Sequence, residues 1–109
     1  MGFKSTPEWE CEAIAIADTH PVDYAEMDAW LRVMDARGIE GKPIASVDLF
    51  FAVFQFETKR LCVLAVRPRD DDPILTHIFV RGGPKAVDGR VNRARVATRA
   101  IGHTAMMIA

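Results

Sequence analysis

Apolar residues change their spacing along the chain, and each change predicts an element. Trp9, Cys11, Ala13, Ala15 and Ala17 alternate with Glu10, Glu12, Ile14 and Ile16, a period of two that predicts a strand. Thr19-His20-Pro21 then supplies a helix start, with Asp23 and Glu26 near the positive end of the dipole. Met27, Trp30, Leu31 and Met34 follow at i, i+3, i+4 and i+7, the signature of an amphipathic helix, which Gly38 ends. The runs Ile44 to Phe56 and Leu61 to Val66 are strand-like and meet at a short polar turn. A charged turn with two prolines, residues 67 to 73, leads to a third run, Ile74 to Arg81. After Gly82-Gly83-Pro84, the residues Val87, Val91, Ala94, Thr98 and Ile101 recur at helical spacing as far as Gly102.

The expected fold class is therefore α+β in the order β-α-β-β-β-α, an antiparallel meander with two helices. The apolar tail from His103 to Ala109 has room for a final short strand or simply docks. The whole of residues 1–109 reads as a single domain, with 1–7 expected to be flexible. Pairing Phe56 with Leu61 and Arg67 with Ile74 sorts the strands into two faces. One carries Phe50, Ala52, Phe54, Val63, Ala65, Ile78 and Val80; the other carries Leu49, Phe51, Val53, Cys62, Leu64, Val66, Leu75, His77 and Phe79. Both are apolar, and two helices cannot cover them entirely. Phe51, Val53, Leu64, Leu75, His77 and Phe79 are accordingly the interface candidates, for a homodimer or a foreign protein partner.

Half of the residues are apolar, which suffices for a core, and the apolar runs are too short or too often broken by charge to span a bilayer. No membrane role is expected, and the N-terminus shows no secretory pattern. Cys11 and Cys62 both sit in strand-like segments, which predicts buried free thiols in a reducing cytoplasm. The net charge of −1 conceals a segregation: residues 1 to 40 hold nine acids and three bases, residues 81 to 109 six bases and one acid. The simplest expectation is that the two ends attract and pack side by side.

Candidate chemistry is sparse. Cys62 and His77 fall on one face of adjacent strands, but apolar neighbours and the lack of a polar third member point to core residues, so no catalytic set is expected. Asp70-Asp71-Asp72 lacks the alternate oxygen ligands of a cation loop, and the three histidines show no ligand spacing, so neither metal nor cofactor is expected. Glu8, Glu10 and Glu12 on one strand face suggest a charged edge. Gly82-Gly83-Pro84-Lys85 before a helix has the look of a phosphate cradle but lacks a Walker pattern. The order α-β-β-β-α is shared with double-stranded-RNA-binding domains, but Val47-Asp48-Leu49-Phe50 stands where that family carries a Gly-Pro-x-His-like element, so the topology is shared without kinship.

The strongest surface signal is basic. Lys85, Arg95 and Arg99 share a helical face with Asn92, flanked by Arg90 and Arg93 and extended by Arg81. Three readings follow. The first is a non-catalytic interaction protein, an inhibitor or accessory factor of bacterial or phage type acting by protein–protein contact. The second is a nucleic-acid-binding domain using the basic stripe. The third is a small enzyme or ligand-binding module with a pocket between sheet and helix, where Cys62, His77 or His20 would matter.

Overall fold

The computed structural model describes residues 3–37, 42–46, 51–68 and 71–108, with side chains placed for 3–35, 52–68 and 71–102. The strand expected through 47–50, the Phe51 side chain and the side chains of the tail lie outside these residues. The elements are β1 (Lys4–Ser5), α1 (Pro7–Thr19), α2 (Pro21–Arg37), β2 (Lys42–Ser46), β3 (Phe51–Glu57), β4 (Leu61–Pro68), β5 (Ile74–Val80) and α3 (Arg90–Ile108). The class is α+β, as expected. Between the described elements runs one mixed sheet in the order β1-β5-β4-β3-β2, antiparallel except where β1 lies parallel to β5.

The segment from Trp9 to Ala17 is helix, not strand. Its alternation is real, but Trp9, Ala13 and Ile16 also stand at i, i+4 and i+7, and these three are the buried ones. Local capping settles the competition. The Thr6 hydroxyl accepts from the Trp9 N–H at 3.2 Å, Pro7 opens the first turn, and Glu8 and Glu10 follow at the positive end of the dipole. Residues 4–6, expected within a flexible terminus, are hydrogen-bonded to the edge of β5: Lys4 N–H to Pro73 O at 2.9 Å and Thr6 N–H to Leu75 O at 3.0 Å.

The β3-β4 hairpin pairs Glu57 with Cys62, two residues away from the expected register, an even shift that leaves every side chain on its face. The β4-β5 pair keeps the expected register from Leu61↔Val80 to Leu64↔His77 and then slips at Leu64/Ala65. That bulge turns Leu75 to the opposite face, where it packs with Val63, Ala65 and Ile78 rather than with Phe79.

Three helices, not two, cover the sheet. On one face Trp9, Ala13 and Ile16 of α1 and Met27 and Leu31 of α2 pack on Phe56, Val63, Ala65, Leu75 and Ile78. On the other, Ala94, Ala97 and Ile101 of α3 pack on Val53, Cys62, Leu64, Val66 and Phe79. Small residues at 94 and 97 let α3 approach the strands closely. Leu61 to Val66 are consequently sealed on both sides, the continuous apolar run of a doubly covered strand. The expectation of a bare apolar sheet face is thereby corrected: a helix that alternation disguised as a strand supplies the missing layer.

The last helix begins after Gly89, whose φ of 87° suits glycine, and runs through Gly102 to Ile108, so the expected stop at 102 and the final strand are both replaced by helix. No helix among the described residues is long and apolar enough to cross a membrane.

Candidate functional site

Among the described residues the acidic and basic ends meet where Lys85 lines a cleft with Glu12, but the helices that carry most of the charge do not. Between them α1 and α2 carry eight acids and two bases, α3 carries four arginines and no acid, and the sheet separates the two layers. For the helices, the expected side-by-side packing is replaced by layers of opposite charge on the two faces of the sheet.

The basic stripe breaks up in three dimensions. Arg93 is committed to the fold: Nε donates to Val87 O at 2.8 Å, an Nη donates to Gln55 Oε1 at 2.9 Å, and the guanidinium lies 5.4 Å from the centre of the Phe79 ring. Arg81 pairs with Glu57 at 3.0 Å and donates to Thr58 O. Lys85 belongs to the loop after β5 and acts electrostatically on Glu12 of α1, on the far side from the arginines of α3. Arg90 is exposed at the start of α3. Arg95 and Arg99 remain as an exposed pair one turn apart, beside Val91, which is 68% exposed. The helix is rotated from the expected setting, with Ala97 rather than Val91 turned inward.

Four of the six interface candidates are placed in the interior. Val53, Leu64, Leu75 and Phe79 are core residues of this chain, and a partner could reach the three that face α3 only by displacing it. His77 is half-buried, with Nδ1 3.0 Å from Thr76 Oγ1, and burial holds its pKa below the usual imidazole value. Cys62 pairs across the ladder with Phe79, and Leu64 with His77, the expected diagonal arrangement of Cys62 and His77. Burial pushes its thiol up to about 11, outweighing Arg93 nearby, so it is protonated at neutral pH and poorly suited to attack. Cys11, expected to be buried, is exposed on α1. Ellman's reagent is therefore expected to titrate one thiol quickly in the native protein and the second only on unfolding; two fast thiols would contradict this core.

The carboxylates and glycines take other roles. Glu8 and Glu12 stand one helical turn apart and Glu10 accepts from the Ser5 hydroxyl at 3.2 Å, so the strand-edge reading of this trio is corrected. Asp71 pairs with Lys4 at 3.0 Å and accepts from the Asp72 N–H, which together hold its carboxyl below the usual range. Gly82, with φ of 72°, and Gly83, whose N–H bonds Val80 O, terminate β5; the helix starts at residue 90, so Lys85 is not at a helix N-terminus and no cradle forms.

Comparison with models of protein families, with curated proteins and with solved structures finds no match.

One surface was missed by the sequence pattern. The inner side of α2 places Met27 and Leu31 in the core, and its outer side carries Val22, Ala25, Ala29 and Val33 at i, i+3, i+7 and i+11, all exposed. Val22 is 80% exposed, and Trp30, expected in the core, borders this stripe at 55%. Ile14 of α1 is exposed in the same layer. Four of the five large hydrophobic side chains most open to solvent among the described residues thus lie on the acidic layer. The signal was present in the sequence as a second apolar stripe on α2, hidden by the first.

Proposed function

We propose that this chain is a non-catalytic interaction protein, an inhibitor or accessory factor, that binds a partner protein through the outer face of α2. The observation that carries the reading is that α2 is apolar on both sides while only one side is covered by the described residues. A helix apolar on both faces is characteristic of one buried on both. Trp30 offers the kind of large aromatic anchor that dominates binding energy, and the small residues Ala25 and Ala29 permit close approach of another helix. The acids around it, Glu26 on α2 and Asp18 on α1 among them, favour a partner surface that is apolar at its centre and basic at its rim.

Intrinsic fluorescence tests this without an identified partner, because Trp9 is buried and Trp30 exposed. Titration with a helical Lys/Leu peptide is expected to shift Trp30 emission to the blue and shield it from acrylamide, and Val22→Glu with Val33→Glu is expected to abolish both effects. A Glu/Leu peptide of the same pattern serves as the charge control, and tighter binding of that peptide overturns the reading. Light scattering on the protein alone decides whether a second copy, through Val91, Arg95 and Arg99, supplies the basic surface.

The second reading, nucleic-acid binding through α3, rests on Arg95 and Arg99. It predicts that a 20-base-pair duplex binds with a steep salt dependence that Arg95→Glu removes.

A further inference from the structure

A cleft of about 270 Å³ lies between α1 and the outer edge of β5. Its walls are apolar, formed by Ala15, Ile16, Ile78, Phe79, Val80 and Pro84, and its polar groups are Glu12, Thr19, His20 and Lys85. We propose that this cleft binds a small organic cation, an ammonium or amidinium group carried on an apolar body, with Glu12 as its counter-ion.

The placement of Glu12 follows from the sheet. With only two residues, β1 pairs with Ile74 and Leu75, and among the described residues no strand follows it along the edge of β5. Side chains take over there: the Thr6 hydroxyl donates to Thr76 O at 3.3 Å, and the Ile78 N–H stabilises the Glu12 carboxylate. Oε1 of Glu12 is closed off from solvent and has no hydrogen-bond partner among the described residues. A buried carboxylate oxygen without a donor is costly, and the carboxyl escapes that cost by turning into the cleft to meet a ligand N–H. The burial that creates the cost also raises the Glu12 pKa, with Glu8 one turn away adding to it and Lys85 opposing it.

None of the cleft's own cations fills the role. Lys85 stands at the rim, exposed, and no ion pair joins it to Glu12 among the described residues. His20 is occupied at Nδ1 by the Thr19 hydroxyl at 2.9 Å, and its backbone N–H caps α1 on Ile16 O. An entering cation therefore meets a carboxyl with no partner for Oε1, an apolar wall for its body and a lysine that competes only from the rim.

The test uses the full chain, isotope-labelled for amide NMR and titrated with benzamidine, with benzyl alcohol and benzoate as the neutral and anionic counterparts. Saturable shifts are expected at Glu12, Ala15, Ile16, Ile78 and Gly83, with affinity rising as pH climbs through the raised Glu12 pKa. Glu12→Gln, which keeps the shape, is expected to weaken benzamidine about tenfold and leave benzyl alcohol unaffected. Lys85→Ala, an exposed change that spares the core, is expected to tighten it about threefold. The proposal is overturned if benzamidine gives no saturable shift by about 10 mM, if benzoate binds as well, or if E12Q binds benzamidine unchanged. The outer stripe of α2 takes no part in this site, so its own test can fail independently.

Discussion

Leu64→Ala is expected to destabilise the protein by about 2–5 kcal/mol, lowering the thermal midpoint by more than about 10 °C. Leu64 lies in the middle of β4 and is fully buried, with Val53, Phe79, Ala94, Ala97 and Ile101 in the same cluster. The alanines on α3 are already small and the strand is held in its ladder on both sides, so the site has little means of collapsing into the space left behind. The measurement is urea denaturation followed by circular dichroism, with the slope compared to the parent to show that the transition stays two-state. A docking role for Leu64 predicts the reverse pattern, unchanged monomer stability with altered association, and that result would remove α3 from the fold described above.

The second large effect belongs to Arg93. Its side chain has only 16% exposure, and its guanidinium ties three segments together: α3 itself, Val87 of the preceding loop, and Gln55 of β3, with Glu57 at 3.5 Å. Arg93→Ala is expected to cost about 2–3 kcal/mol, because charge-assisted bonds are lost and Gln55 and the Val87 carbonyl each lose a donor. Arg93→Lys is expected to recover little, since one ammonium cannot serve Val87 O and Gln55 Oε1 together while lying flat over Phe79. Both variants are read by the same denaturation, with amide exchange in α3 showing whether that helix loosens first. Full recovery with lysine would show that charge alone matters there and that the planar fork does not.

The meander β3-β4-β5 was legible because its strands are apolar on both faces and its turns are polar, and an even error in the hairpin register cost nothing. Leu75 was misplaced because a bulge has no apolar signature: one residue slips, and everything beyond it changes face. The N-terminal helix was misread because Trp9 to Ala17 satisfies both periods at once. Thr6-Pro7-Glu8 carried the deciding cap, and the acids were assigned to a strand edge instead. That single error propagated, since a missing helix implied a bare sheet and a bare sheet implied an interface made of core residues. Asn92, Arg95 and Arg99 are exposed on α3, but the helical wheel set Val91 opposite them where it is exposed too, and a wheel does not show that Arg93 and Arg81 find partners on β3. Glu12 could not have been singled out, because its significance lies in being set against Ile78, a residue far from it in the chain.

The separation of charge by the sheet also governs how the molecule meets others in solution. Its shortest dimension is 24 Å, well beyond the screening length of about 8 Å at physiological ionic strength. A surface a short distance away therefore senses one face and hardly the other, and the near-zero total says little about the encounter. Tumbling near a negatively charged body would be biased to present α3, and near a positively charged one to present α1 and α2. The fold thus selects which side arrives first before any side chain touches, and added salt should erase that preference sooner than it weakens the contact that follows.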